Sequence, residues 1–314
     1  MKRVKTLLAV SMIPLFVTGC SSDDDDPIVD VPPQEPEFAN VRVIHASSDA
    51  PTVDITANDE ILNGLEAVDY QMASTKFEVQ TGTYDIGVVA NLPGDDAEVL
   101  QTDITLETDM NYDIFAVGSV ADDSLMLLPV TSMETAVESG NAQVQIVHAA
   151  SMAPTVDIYV TAPDAALADE QPLVTAAYTD ATDLVQVPAG DYRIRITAAG
   201  ETDVVFDSGA ITLEDGSDLL VAATNSVSPG DSPVTLLVSD GDLSMNLYDV
   251  NTPAALRVVH GISDAPAVDV IANNEVVLVD GIQFPRTTDY IDVAAGDYLI
   301  DVVADADNSI VAVD

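Results

Sequence analysis

The chain has little cysteine, no tryptophan and few basic side chains, and each shortage excludes a class of function. Its 314 residues include one cysteine, Cys20, so neither an intramolecular disulfide nor a cysteine-based metal site can form. Nine Lys and Arg stand against 54 Asp and Glu, which gives a formal net charge of −45. Such a field repels phosphate groups and excludes nucleic acid as a partner. The absence of tryptophan argues against a sugar-binding surface of exposed aromatic rings.

The longest apolar run lies near the N-terminus. Residues 1–20 combine a basic start, an apolar run from Leu7 to Val17 and small residues before Cys20. This order predicts a secretory signal peptide, and the run is too short to span a membrane. The letters VTGC at its end resemble the lipobox of bacterial lipoproteins. The resemblance implies cleavage before Cys20 and two kinds of lipid attachment on it, which together anchor a protein stably to a membrane.

The segment after Cys20 is acidic and rich in proline. Residues 21–38 contain four consecutive aspartates and four prolines but no apolar periodicity. Such a composition predicts an extended, self-repelling linker. Ser21 directly follows the cysteine, which by analogy with Gram-negative lipoproteins implies sorting to the outer membrane.

One sequence motif, called the repeated phrase below, occurs three times and divides the rest of the chain into modules. It reads HASSDAPTVDI from His45, HAASMAPTVDI from His148 and HGISDAPAVDV from His260. The spacing predicts module 1 at residues 39–138, module 2 at 141–250 and a partial module 3 at 254–314. Short connections predict modules arranged like beads. For module 3, an incomplete chain is favoured over a strand supplied by a partner.

Apolar residues alternate at period two within each module, which predicts strands with one buried face. Val41, Val43 and His45 share the inward face of the first strand, and Arg42 points the other way, as do Gln145 and Arg257. In module 2, Arg193 and Arg195 are expected in solvent. About seven short strands per module predict an all-β fold of tandem antiparallel β-sandwiches with an immunoglobulin-like layout. A small barrel is the alternative.

Each repeat brings together histidine, serine, proline and aspartate. Because proline ends a strand ladder and the aspartate falls on an outward position, a hydrolytic triad is disfavoured. The structural interpretation is that serine bonds the turn backbone and histidine anchors the strand end through a ring-to-backbone bond. This interpretation covers His45, Ser48, Pro51, Asp54, His148, Ser151, Pro154, Asp157, His260, Ser263, Pro266 and Asp269.

No cofactor, catalytic residue or metal ligand is predicted, and one histidine per module is too few for zinc. Weak divalent-cation binding stays open at four acidic turns that lack the full calcium-loop pattern. These turns lie at residues 95–96, 122–123, 240–242 and 305–308.

With the repeated phrase, the VPAGDY turn at Val187–Tyr192 and the lipobox together, the chain resembles bacterial lipoproteins with tandem copies of the domain of unknown function 4397. Two departures are Met152 in place of aspartate and a Val79–Gly82 turn without Pro-Ala. The resemblance implies an extracytoplasmic β-sandwich repeat and supplies no activity.

We therefore expect a non-enzymatic, lipid-anchored cell-envelope protein whose repeats act as a surface spacer, adhesion or interaction array. Its expected partners are the membrane, through Cys20, and an extracellular or envelope protein or glycan. The alternative is an envelope ligand-binding or substrate-presenting module. A hydrolase that uses the His–Ser–Asp clusters ranks third.

Overall fold

The computed structural model describes the backbone of residues 36–313 and the side chains of residues 36–307. The predicted signal peptide, Cys20 and most of the linker lie outside this part of the chain. The described part is all-β apart from one 3₁₀ turn, Leu167–Asp169, which confirms the predicted fold class. No helix in residues 36–313 has the length and apolar character needed to cross a membrane.

Module 1 is a sandwich of two sheets. One sheet has the strand order β4-β1-β8-β9 with β5 also pairing β1, and the other has the order β3-β2-β6-β7. Strands β1 and β8 run parallel, unlike the antiparallel pairs around them. The strands are β1 (Phe38–His45), β2 (Val53–Ala57), β3 (Glu60–Ile61), β4 (Met72–Ala73), β5 (Phe77–Gln80), β6 (Gly82–Ala90), β7 (Ala97–Leu106), β8 (Met110–Val117) and β9 (Met126–Met133).

Module 2 repeats this plan. Its sheets have the orders β13-β10-β16-β17-β18 and β12-β11-β14-β15, and β10 and β16 run parallel. The strands are β10 (Asn141–His148), β11 (Val156–Thr161), β12 (Val174–Ala176), β13 (Val185–Pro188), β14 (Gly190–Ala198), β15 (Val204–Leu213), β16 (Asp218–Asn225), β17 (Val234–Ser239) and β18 (Ser244–Leu247). The sheets that contain β1 and β10 are called the facing sheets below.

Module 3 has one four-stranded sheet of order β22-β21-β25-β26 and two short ribbons, β19-β24 and β20-β23. By repeat position, the ribbons correspond to part of a facing sheet. The strands are β19 (Ala254–Leu256), β20 (Val259–His260), β21 (Val268–Ala272), β22 (Val276–Ile282), β23 (Arg286–Thr287), β24 (Ile291–Val293), β25 (Ile300–Ala304) and β26 (Asp307–Val313).

The alternating apolar residues form the cores between the sheets, as predicted. In module 1, Val41 and Val43 of β1 meet Val53 and Ile55 of β2 in one buried cluster. Module 2 has a matching cluster, and module 3 has a smaller one built on β21 and β22. Burial of one such aliphatic side chain stabilises a fold by about 1.5–3 kcal/mol.

A further apolar core joins the facing sheets of modules 1 and 2. Its buried members are Ile44, Ala46, Phe115, Val117 and Val130 from module 1, and Val147, Ala149, Leu220, Ala222 and Leu237 from module 2. Ile44 and Val147 each precede the repeat histidine, and Ala46 and Ala149 each follow it. Both modules thus contribute the two residues that flank the repeat histidine to one shared core. The expectation of bead-like modules is wrong for this pair.

Arg42 and Gln145 were expected to face solvent, and this expectation is wrong. They are 3% and 4% exposed because the packing between the modules covers them. Arg42 binds Asp113 of β8 through two hydrogen bonds, from Nε at 2.6 Å and from Nη2 at 2.9 Å. Its Nη1 donates to Ser239 Oγ of module 2 at 2.9 Å. A buried guanidinium needs such partners because desolvation of an unpaired charge is costly.

Arg195 also departs from the expectation of solvent exposure, whereas Arg193 keeps 34% of its side chain exposed. Arg193 pairs with Asp207 on β15. Arg195 is 6% exposed, and its Nη2 donates to Thr161 Oγ1 and to the carbonyl of Ala165, each at 2.9 Å. The loop after β11 covers Arg195 and removes it from water.

Candidate functional site

The repeat histidines are buried, and both ring nitrogens contact backbone. His45 Nε2 lies 3.0 Å from the carbonyl oxygen of Pro51, and its Nδ1 accepts the N–H of Ser47 at 3.4 Å. Since Nδ1 accepts, the neutral ring carries its proton on Nε2 and donates it to Pro51. The geometry repeats at His148 with Pro154 (3.0 Å) and at His260 with Pro266 (2.9 Å).

Each ring also meets an aromatic residue edge to face. The partners of His45, His148 and His260 are Tyr70, Tyr178 and Phe284, with ring centroids 6.1, 6.4 and 6.4 Å apart. Burial lowers the pKa of His45 below 6.5, against the opposing effects of the Pro51 hydrogen bond and of Asp69. The ring therefore holds the strand end to the proline turn in its neutral form.

Within residues 36–307, no hydrogen bond joins a repeat serine side chain to a histidine ring. Ser48 Oγ and Ser151 Oγ each accept a hydrogen bond from Asn225 Nδ2, at 3.1 Å. Ser263 of module 3 is exposed. Asn225 thus connects the repeat turns of modules 1 and 2, and its carbonyl accepts the hydroxyl of Tyr70 at 2.6 Å.

The repeat aspartates bind backbone of neighbouring segments. Asp54 Oδ1 accepts the N–H of Ala67 at 2.7 Å and Asn91 Nδ2 at 3.1 Å. Asp157 accepts the N–H of Gly200 at 2.8 Å and the hydroxyl of Thr175. Asp269 accepts the N–H of Gly281 at 2.8 Å.

The cluster therefore lacks the connectivity of a hydrolytic triad. A triad requires the histidine to bond the nucleophile on one side and an orienting carboxylate on the other. Here the histidine nitrogens bond the proline carbonyl and a turn N–H in every repeat, and the serine and aspartate bond other groups. The hydrogen bonds of this arrangement hold a turn to the two strands beside it.

The sequence interpretation gave no role to Asp49 or to Asn225. The Asp49 carboxylate binds the loop after β8, because it accepts hydrogen bonds from the N–H groups of Val120 and Ala121, each at 2.9 Å. The hydrogen bond from Ala121 is the main cause that lowers the pKa of Asp49 to about 2. Its counterpart in module 2 is Met152, which is 70% exposed, and there Asn225 Oδ1 accepts the Met152 N–H at 3.0 Å.

Three carboxylates of module 3 come together where the sequence suggested only one acidic turn. Oxygens of Asp269, Asp280 and Asp305 lie within 4.8 Å of one another. Asp305 belongs to the predicted turn at residues 305–308, whereas Asp269 and Asp280 lie on β21 and β22. In another of these turns, Asp240 Oδ1 accepts the N–H groups of Asp242 and Leu243, at 3.0 and 2.7 Å.

Two voids lie away from the repeat turns. An acidic cleft of about 560 Å³ opens at the start of module 1 beside Glu37, Glu78, Asp109 and Glu134. A cavity of about 50 Å³ lies between the sheets of module 2, and aliphatic side chains alone line it. Ligand pockets for drug-sized molecules are typically about 300–1,000 Å³, so of these two voids the cleft is the one with room for such a ligand.

No curated protein matches the chain. Solved structures that it resembles include the Bacillus anthracis TIE protein, at 8% identity with a TM-score of 0.18, and a leucine-rich repeat protein from Bacteroides thetaiotaomicron, at 14% identity with a TM-score of 0.16. The matches cover 85% and 63% of this chain but 45% and 27% of those proteins, so the chain spans less than half the length of either. Scores this low support no argument about function.

The family comparison is more informative. Residues 39–159, 161–247 and 254–314 each match the family described as the domain of unknown function (DUF4397). The first two matches meet within β11, whereas the first strand of module 2 begins at Asn141. Because the matches cover nearly all of the described residues, the chain belongs to the DUF4397 family as a tandem repeat of that domain.

Proposed function

We propose that the protein is a non-enzymatic, lipid-anchored component of the cell envelope whose β-sandwich modules form a surface spacer and interaction array. The observation that carries this proposal is that all three His–Ser–Asp clusters have a structural role. In each repeat the histidine nitrogens bond backbone, so the group that could act as a general base instead holds a turn.

The joined facing sheets support a spacer role. A shared core between modules 1 and 2 makes them one block, because separating them would expose Ile44, Phe115 and Leu237 to water. The formal charge of −45 keeps such a block soluble and repels other acidic surfaces.

The envelope location rests on Cys20 and the segment before it. Lipidation there would tether the modules through the acidic linker, at a distance set by an extended chain of about 3.1 Å per residue. The outer membrane of a Gram-negative cell is the proposed site, with an extracellular or envelope protein or glycan as partner.

Membrane fractionation tests the anchor. Wild-type protein should sediment with membranes, and Cys20→Ala should release it to the soluble fraction because the thioether cannot form. Ser22→Ala is the matched control and should stay with membranes. Retention of Cys20→Ala on membranes would refute the anchor. Protease treatment of intact cells then tests the surface role, since a protein that faces the periplasm resists cleavage.

The acidic cleft favours one alternative, an envelope ligand-binding or substrate-presenting module. Four carboxylate side chains border the cleft, and Glu37 accepts the hydroxyl of Thr108 at 2.6 Å. Such a cleft selects ligands that carry positive charge. Crosslinking in intact cells distinguishes the two roles, since a spacer captures envelope macromolecules and a ligand-binding module captures a small cation or its carrier. A hydrolase ranks last.

A further inference from the structure

The cavity between the two sheets of module 2 is lined by aliphatic side chains alone and measures about 50 Å³. Ile146 and Leu236 line it from the facing sheet, and Ile158 and Ile196 line it from the other sheet. A buried water typically makes about three hydrogen bonds to polar groups, and apolar cavities stay dry. Because this lining offers almost no polar surface, water gains nothing by entering the cavity.

The cavity lies where module 2 has smaller side chains than module 1 at two core positions. By strand register, Val185 and Leu219 flank the same position on β10 that Phe77 and Tyr112 flank on β1. Both of the smaller residues line the cavity, whereas both rings pack in the core of module 1. The replacement of two rings by two aliphatic side chains therefore accounts for open space in module 2.

Part of the cavity lining reaches the protein surface. Leu173, which directly precedes β12, lines the cavity and is 43% exposed. Val160 and Val187 also line it and are only half-buried. Because side chains at the surface change rotamer within nanoseconds, a small molecule can enter from solvent without separation of the two sheets.

We propose that the cavity of module 2 binds a small apolar molecule of the size of a xenon atom or a short alkyl group. The ligand is apolar because the lining has no group that could pair with a charge or a polar atom. Its size follows from the volume, since an engineered apolar cavity of about 150 Å³ binds benzene or xenon, and this cavity has about a third of that volume. The binding depends neither on the lipid anchor nor on the proposed function.

Methyl NMR of residues 21–314 under xenon pressure tests the proposal, with benzene as the larger probe. The methyl resonances of Ile196 should shift saturably with xenon pressure, because Ile196 lines the cavity. The resonances of Val88, which holds the equivalent place in the core of module 1, should not shift in this way. Benzene should leave both sets unchanged. Val185→Phe should abolish the xenon shift at Ile196, since the larger side chain fills the cavity.

Val204→Phe is the matched control for xenon binding. Val204 is 43% exposed and does not line the cavity, so this variant should bind xenon like the wild type. If Val185→Phe fails to fold, Leu219→Phe fills the same space from β16. Equal xenon shifts at Ile196 and Val88, a wild type without a saturable response, or equal loss of binding in Val185→Phe and Val204→Phe would overturn the proposal.

Discussion

The cavity in module 2 provides a quantitative test of how the repeats differ. By strand register, Phe77 pairs with Val41 in module 1, and Val185 pairs with the corresponding Val144 in module 2. Val185 lines the cavity, whereas Phe77 packs against the filled core of module 1. The smaller side chain in module 2 leaves about 50 Å³ unfilled. Val185→Phe should therefore restore the packing that module 1 already has.

The magnitude follows from the volume. Residual cavities destabilise proteins by about 24 cal/mol per Å³, so filling this one should raise the free energy of unfolding by about 1.2 kcal/mol. Modules 1 and 2 share a core and should unfold together, and for a unit of about 200 residues the melting temperature then rises by about 2–5 °C. The measurement is thermal unfolding followed by circular dichroism or calorimetry.

Val204→Phe is the control for this experiment. Val204 is 43% exposed at the start of β15 and does not line the cavity, so the same substitution there should leave the melting temperature nearly unchanged. The reverse change, Phe77→Val, should lower stability because it removes apolar volume from a filled core. If Val185→Phe destabilises the protein as strongly as an overpacked core does, the space between the sheets is not available and the reasoning fails.

Two further predictions concern buried charge. Burial lowers the pKa of His45 below 6.5, so between the two pKa values the unfolded chain binds a proton on this ring and the folded protein does not. The free energy of unfolding should therefore fall as the pH drops from 6.5 towards the lowered pKa. His45→Gln should flatten the pH dependence of the melting temperature in this window, and an unchanged slope would contradict the assignment. Arg42→Gln alone should cost about 3–5 kcal/mol because it leaves Asp113 buried without its partner. Arg42→Gln with Asp113→Leu copies the Gln145 and Leu220 pair of module 2 and should recover most of that loss in denaturant unfolding, whereas an additive loss would show that the pair is not coupled.

Sequence alternation predicted the cores between sheets because one face of strands such as β1 and β2 is apolar. Val41, Val43 and His45 lie where the period-two pattern places them. The histidine anchors could also be anticipated, since a proline turn six residues on supplies a carbonyl within reach of the ring. These features are local, and local spacing determines them.

The contact between modules was not anticipated, although a signal for it exists. Strand β8 reads MNYDIFAV and β16 reads DLLVAATN, and nearly every side chain of both is buried. A nearly continuous apolar run indicates burial on both faces of a strand. Arg42 obscured the signal in β1, because a charged residue on one face is usually read as solvent-exposed, and its partner Asp113 lies 71 residues away.

Asn225 is a further case that the repeat alone could not reveal. It corresponds to Gly118 of module 1, where a Cβ atom would come within 2.2 Å of the Ser124 carbonyl oxygen. In module 2 the position has room for a side chain, which bonds Ser48 of the other module as well as Ser151 of its own. Only the relative placement of the two turns gives this asparagine its role.

Polar differences between the repeats distinguish the observed pairing of module 1 with module 2 from a pairing of two copies of module 1. An interface between two copies of module 1 would bury two Arg42–Asp113 pairs against each other and would offer neither of them Ser239, which accepts from Arg42 in the present arrangement. It would also lack Asn225, whose amide bonds both repeat turns. Polar residues that occur in one repeat only thus make the interface selective, because without Ser239 the Nη1 group of Arg42 would be buried without this acceptor.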